Sequence, residues 1–304
     1  MQATMETTDH TNGSIVPLLR VDHLAYSVFE KNQWNWLDKM LGRPNREQAG
    51  RLMARVLGGV PQSMPDPRNG SYNLAHIMEF ASGQDAVLRQ VNLGTSMFPD
   101  EKTRNEVSVM RLIADKTTIP VAYVHCVKLT GDPPEKGTED LDTNDIRPFI
   151  LMEYLHHDRD MGQALNTAEL GVEEPLVLNP RLDPIELKKT CTAWHATLFL
   201  NFRRLDKGLF KLWCDDFRPT NILLSGDNVA GVIDLEFSYA APAEFYHAPP
   251  WWLLLQRPED WKGGWGDWKG KYEVVLATFL EAMTEAEDAA TVSGRLNNDQ
   301  RLSG

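Results

Sequence analysis

Within residues 212–224, Asp215, Asp216 and Asn221 stand inside a short apolar frame, Leu-Trp-Cys before them and Ile-Leu-Leu after. A Ser-Gly-Asp-Asn turn at 225–228 leads into a second apolar run, Val-Ala-Gly-Val-Ile, which reaches Asp234 and then Leu235-Glu236-Phe237. An acid and an amide are thus held on a loop between short strands, and a second acid sits at the end of an apolar strand. Strand ends are rigid mounts that fix where side-chain oxygens point. Phosphoryl transfer needs such parts. A carboxylate orients and deprotonates the attacking hydroxyl, and hard oxygen ligands hold Mg²⁺ on the phosphates.

The pattern Asp-x₄-Asn-x₁₂-Asp, followed by Glu-Phe, resembles the catalytic loop and metal-binding strand of the aminoglycoside phosphotransferase and choline kinase superfamily. The stretch Cys-Asp-Asp-Phe-Arg-Pro-Thr-Asn, with Tyr-Ala-Ala-Pro-Ala-Glu-Phe and Pro-Pro-Trp-Trp-Leu-Leu-Leu after it, is similar to a fungal branch of that family. Where many members carry His-Gly-Asp, this chain has Cys214-Asp215-Asp216. The resemblance implies Asp216 as catalytic base and Asn221 and Asp234 as Mg²⁺ ligands. It also implies ATP or another nucleoside triphosphate as phosphoryl donor. It is strongest over residues 205–283, weaker over 69–155 and thin elsewhere.

The upstream elements must hold the nucleotide. After an Asn69-Gly70 turn, residues 72–80 and 86–91 read as strands, and 98–114 as a short helix with acids in its first turn. Gly70-Ser71 falls where the family's nucleotide-covering loop lies, though with one glycine rather than a run. Arg89 stands where the family often has a phosphate-contacting lysine, with Glu106 as a candidate ion-pair partner; the two cations differ in geometry. Residues 120–129 and 149–154 read as further strands around the acidic loop 131–145. Glu153-Tyr154-Leu155 fits the hinge, where backbone groups of Glu153 and Leu155 would read a base. Residues 184–202 and 272–290 carry helical periodicity, and Trp34, Leu37, Met40 and Leu41 share one helical face near the start.

Strands first and helices later predict an α+β chain with the protein kinase-like two-lobed fold. The expected parts are a disordered tail over 1–20, a nucleotide-binding N-lobe over 21–154 and a mainly helical, shortened C-lobe over 155–304. Only about 60 residues separate the hinge from the catalytic loop, which curtails the helices that build the family's acceptor pocket. The dense tryptophans 251, 252, 261, 265 and 268 read as core packing before they read as a pocket lining. Asp215 is expected to point away from Asp216. Cys214 is read as a packing residue, because no His-Asn partner pattern accompanies it.

The formal net charge of −12 argues against nucleic acid and anionic membrane as partners, and leaves an unidentified small-molecule acceptor. Three scattered cysteines and a polar start with no apolar centre point to a cytoplasmic protein. A non-catalytic kinase-like nucleotide-binding or regulatory protein is the alternative. A protein kinase fits less well, as neither Asp-Phe-Gly nor Ala-Pro-Glu occurs.

Overall fold

The computed structural model describes residues 15–165, 201–202, 210–226, 228–242, 245 and 250–294. The chain opens with two helices, α1 (Ile15–Leu41) and α2 (Arg43–Leu57). Helix α1 therefore begins inside the span expected as tail. On its apolar face Leu37 and Met40 are buried, whereas Trp34 and Leu41 stand exposed. Helix α2 closes on Gly58 in the left-handed region, φ 68°, where a residue without Cβ is unstrained.

The sheet that follows is antiparallel throughout. Its strands are β1 (Pro61–Ser63), β2 (Arg68–Asn69), β3 (Asn73–Phe80), β4 (Ala86–Val91), β5 (Val124–Lys128) and β6 (Phe149–Glu153). The order is β1-β3-β4-β6-β5, with β2 also paired to β3. Helix α3 (Pro99–Lys116) enters between β4 and β5. Leu74, Met78, Leu88 and Leu151 pack with Leu37, Met40, Leu52 and Met53, so α1 and α2 cover one sheet face. At the turn after β4, a Cβ on Gly94 would meet the backbone of Gln33 at 2.4 Å; only glycine lets this segment lie against α1.

After β6 come β7 (Arg159–Asp160), α4 (Met161–Leu165), β8 (Asn201–Phe202), β9 (Phe210–Cys214), β10 (Ile222–Ser225), β11 (Asn228–Val232), β12 (Ser238–Pro242) and α5 (Gly264–Val292). They form two three-stranded sheets, β11-β10-β7 and β12-β9-β8. The hairpin of β10 and β11 pairs Ile222 with Val232. A second core joins α3 to this half: Val109, Met110 and Ile113 pack with Leu212, Ile222, Val232 and Phe279. The architecture is mixed helix and sheet, with more short strand in the second half than the sequence reading expected. The helix expected over 184–202 lies almost wholly outside the described residues, as do Cys191, His195 and His247. Its last two residues are β8. Among the described residues, no helix is long and apolar enough to cross a membrane.

Candidate active site

A cavity of about 540 Å³ opens between the sheet and the second half. Period-two alternation aims the strands at it. Asn73, Ala75 and Ile77 of β3 face in, as do Val87 and Arg89 of β4. Gly70 and Ser71 border it above, Glu153 and Leu155 at the end of β6, and Asp216 and Asp234 below. Asp216 and Asp234, from separate loops, therefore meet in one cleft. Of the residues expected to act in catalysis, metal binding or nucleotide binding, Asn221 alone does not line the cavity. It is 4% exposed and lies behind Asp216, donating from Nδ2 to the Asp216 carbonyl at 2.7 Å and to its Oδ2 at 3.3 Å.

The loop that carries Asp216 is braced from both sides. The Trp252 indole N–H donates to the Phe217 carbonyl at 2.8 Å, and Ile233 N–H donates to the Asn221 carbonyl at 3.0 Å. Trp252, Trp261 and Trp268 are core residues and Trp265 is exposed. Trp252 thus holds the loop from behind, while Trp261 and Trp268 donate to Asp267 and the Gln256 carbonyl away from it. Asp215 turns away from the cleft, accepting from Trp213 Nε1 at 2.6 Å and Tyr239 Oη at 3.1 Å. Burial pushes the Cys214 thiol up to about 11, which suits packing and not nucleophilic attack.

Asp234 stands two residues beyond the end of β11, not at its last position. Its φ of 57° and ψ of 50° put it in the left-handed region. A non-glycine residue held there is a local cost that surrounding structure must sustain, and such residues gather at functional sites. The turn swings Asp234 and Glu236 under the sheet.

There Arg89 receives them. Its Nη1 donates to Glu106, its Nη2 to Asp234 at 2.6 Å and to Glu236 at 3.2 Å. Glu236 Oε2 also accepts from Asn73 Nδ2 at 2.7 Å and pairs with Lys102 Nζ at 3.0 Å. Lys102 in turn lies over the Tyr72 ring, 4.8 Å from its centroid. Glu236, Lys102 and Asn73 were absent from the sequence-based site. Their only local signal was the Leu-Glu-Phe after Asp234; the partners come from strand and helix far upstream.

This knot holds two cations and three carboxylates, nearly all of it dry. Burial works against the charge of Arg89, but Glu106, Asp234 and Glu236 more than offset it and hold the guanidinium above its ordinary value. Burial pushes the Glu106 carboxyl up to about 7; Arg89 opposes the rise, and the Glu236 and Asp234 charges add to it. An acid raised in the folded state contributes stability that is complete below its unfolded value, about 4.5, and is lost as pH climbs through about 7. Thermal melts of wild type should therefore show a stability loss between those pH values that Glu106→Gln flattens. Parallel profiles for the two proteins would remove Glu106 as its source.

No family model and no curated protein matches the chain. Many solved structures are similar to it, and two are described. One is a macrolide 2'-phosphotransferase type I, at 14% identity, covering 85% of this chain and 95% of that one with a TM-score of 0.43. The other is the streptomycin-ATP-APH(2")-IIa ternary complex, at 12% identity, 79% and 85% coverage and a TM-score of 0.45. What the site can do rests on its own side chains.

The cleft has a polar end and an apolar end. Ile77, Val87, Met152, Leu155, Leu223 and Val232 line the apolar one. A flat aromatic base would bury its faces there. The Glu153 and Tyr154 amides are already bound to the Tyr123 and Asp85 carbonyls, and His157 Nδ1 meets the Leu155 carbonyl at 2.7 Å. Among the described residues no group of three or more His, Cys, Asp and Glu is arranged to hold a metal. Mg²⁺ is held by few protein groups and keeps its remaining positions for water and phosphate; of the expected ligand pair, Asp234 lines the cavity and Asn221 does not. The Asp234 side chain is 40% exposed, so it retains an oxygen surface toward the cleft while bonded to Arg89.

Proposed function

We propose that the cleft binds ATP, or another nucleoside triphosphate, with Mg²⁺ and transfers the terminal phosphoryl group to a hydroxyl of a small molecule. The observation that carries this reading is the convergence of Asp216 and Asp234 on one cavity that also holds an apolar slot and the Arg89 ion-pair knot. In this reading the base lies between Ile77 and Val87 above and Leu223 and Val232 below. Its phosphates extend under Gly70 and Ser71 toward the two aspartates.

Asp216 would accept the hydroxyl proton of the acceptor. Asn221 Nδ2 holds the Asp216 main chain and carboxylate, which fixes the direction of approach. Asp234 and the Asn221 side-chain oxygen would hold Mg²⁺, which when bound offsets phosphate charge during transfer. Glu106 and Glu236 keep Arg89 in place, and Arg89 keeps Asp234 aimed at the cleft. Gly70 and Ser71 would cover the phosphates, and the Glu153–Leu155 backbone would border the base. The fungal branch of the family and a cytoplasmic setting belong to this proposal on the sequence motifs alone.

Calorimetry with nucleotide, with and without Mg²⁺, tests the reading. Wild type should bind in a Mg²⁺-dependent way. Asp234→Asn should weaken that binding by at least the roughly 10–100-fold seen on loss of a metal's outer-shell partner. Its fold should persist, because the asparagine oxygen can still accept from Arg89. Equal Mg²⁺-dependent affinity in the two proteins would remove the metal role of Asp234.

A further inference from the structure

The Gly70–Ser71 turn roofs the cleft just before β3, and the start of β3 is tied across the cleft to the floor. Asn73 Nδ2 donates to Glu236 Oε2 at 2.7 Å, which bonds the first residue of β3 to the turn that follows Asp234. One residue earlier, the Tyr72 ring meets the Phe237 ring edge-on, with 5.3 Å between centroids and 75° between planes. Lys102, near the start of α3, closes the third side. Its Nζ lies 3.0 Å from Glu236 Oε2, 4.8 Å from the Tyr72 centroid and 5.8 Å from that of Phe237. The Lys102 side chain is 11% exposed, so its attraction to the rings is only weakly screened by water.

The two rings are not core residues, since Tyr72 is 43% and Phe237 36% exposed. Both border the large cavity, and both also border a recess of about 390 Å³ beside Phe98 and Lys102. They form a partition between the two spaces, one ring from the roof and one from the floor. Each ring has a fixed mount. Asn92 N–H donates to the Tyr72 carbonyl at 2.8 Å, just past the end of β4. Asp215 N–H donates to the Phe237 carbonyl at 3.2 Å, beside Asp216.

We infer that Lys102, Tyr72 and Phe237 are positioning residues: they form a clasp that holds the Gly70–Ser71 turn over the phosphates of a bound nucleotide. This rests on the phosphotransferase reading above. The turn has a single glycine and no cation, so what it gives a phosphate depends on how steadily it is held. A roof in place for only a fraction of the time lowers apparent affinity by that fraction. Lys102 supplies the tie because one ammonium serves a roof ring, a floor ring and the floor carboxylate together. The effect is confined to the phosphate end. The apolar slot of Val87, Leu223 and Val232 lies at the other end of the cavity, on strands the clasp does not touch.

The test titrates a Mg²⁺-bound non-hydrolysable ATP analogue, and separately adenosine, into wild type, Tyr72→Leu, Phe237→Leu and the double variant. Circular dichroism melts first establish that each is folded; the half-exposed rings can be changed without opening the core. A desolvated cation–ring contact converts to roughly 3–30-fold in an equilibrium, and each single change should weaken the analogue by that much. Adenosine has no phosphate and should stay within about 2-fold. Because the two rings serve one contact, the double variant should fall no more than about 3-fold below the weaker single variant. Lys102→Arg should bind the analogue more tightly than Lys102→Met, since it keeps a cation over the rings. Adenosine falling in step with the analogue, losses that simply multiply, no loss at all, or an arginine no better than methionine would overturn the clasp alone. Wild type that binds neither ligand would overturn the phosphotransferase reading and the clasp with it.

Discussion

Asp216→Asn is expected to lower turnover by roughly 10²–10⁴-fold, about 3–5 kcal/mol of barrier, once an acceptor is in hand. The substitution preserves shape and removes charge and basicity. Nucleotide affinity should move only a few-fold, because the metal is assigned to Asn221 and Asp234 and the base slot lies at the other end of the cavity. The Asn221 Nδ2 bond to the main-chain carbonyl of residue 216 survives the change, so the loop stays in place. Steady-state rates paired with calorimetric affinities give both halves of the signature. Turnover that survives within a few-fold would show that Asp216 is not the base. A parallel collapse of nucleotide affinity would place it in binding instead.

Arg89→Met should be the most damaging single change to the fold near the site. It takes one cation from a knot that already holds more carboxylates than cations. Glu106 and the Glu236 side chain are buried, 2% and 3% exposed, and cannot turn to water without unpacking α3 from the sheet. Removing one partner of a buried ion pair typically costs about 3–5 kcal/mol. That is a large share of the roughly 5–15 kcal/mol that holds a domain folded. Arg89→Lys should recover only part of this, because an ammonium lacks the fork that serves three carboxylates at once. Urea unfolding midpoints measure both variants. An Arg89→Met midpoint equal to that of wild type would mean that the buried acids are neutralised by protons and not by the arginine.

Much of the site was legible because its chemistry is local in the chain. Asp216 and Asn221 lie on one loop, and a hairpin of few residues carries the chain on to Asp234. Strand alternation over 73–80 and 86–91 needs only neighbouring residues to declare itself, and it aimed Arg89 and Val87 together. Elsewhere the sequence alone could not decide. Leu37 and Trp34 sit on the same periodic face of α1, yet one is buried and the other is 66% exposed. The pattern states that a face is apolar, not how much of it the sheet is wide enough to cover. Glu236 reads locally as one acid among 43 acidic residues. Its place in the knot depends on Arg89, Lys102 and Asn73, more than a hundred positions upstream, and on the left-handed turn at Asp234 that brings it beneath them. The same holds for the Arg218–Asp216 pair. Both residues are visible in the loop, but only its folded course, fixed by the Trp252 bond to the Phe217 carbonyl and the turn at Pro219–Asn221, brings the guanidinium to 3.1 Å from the carboxylate.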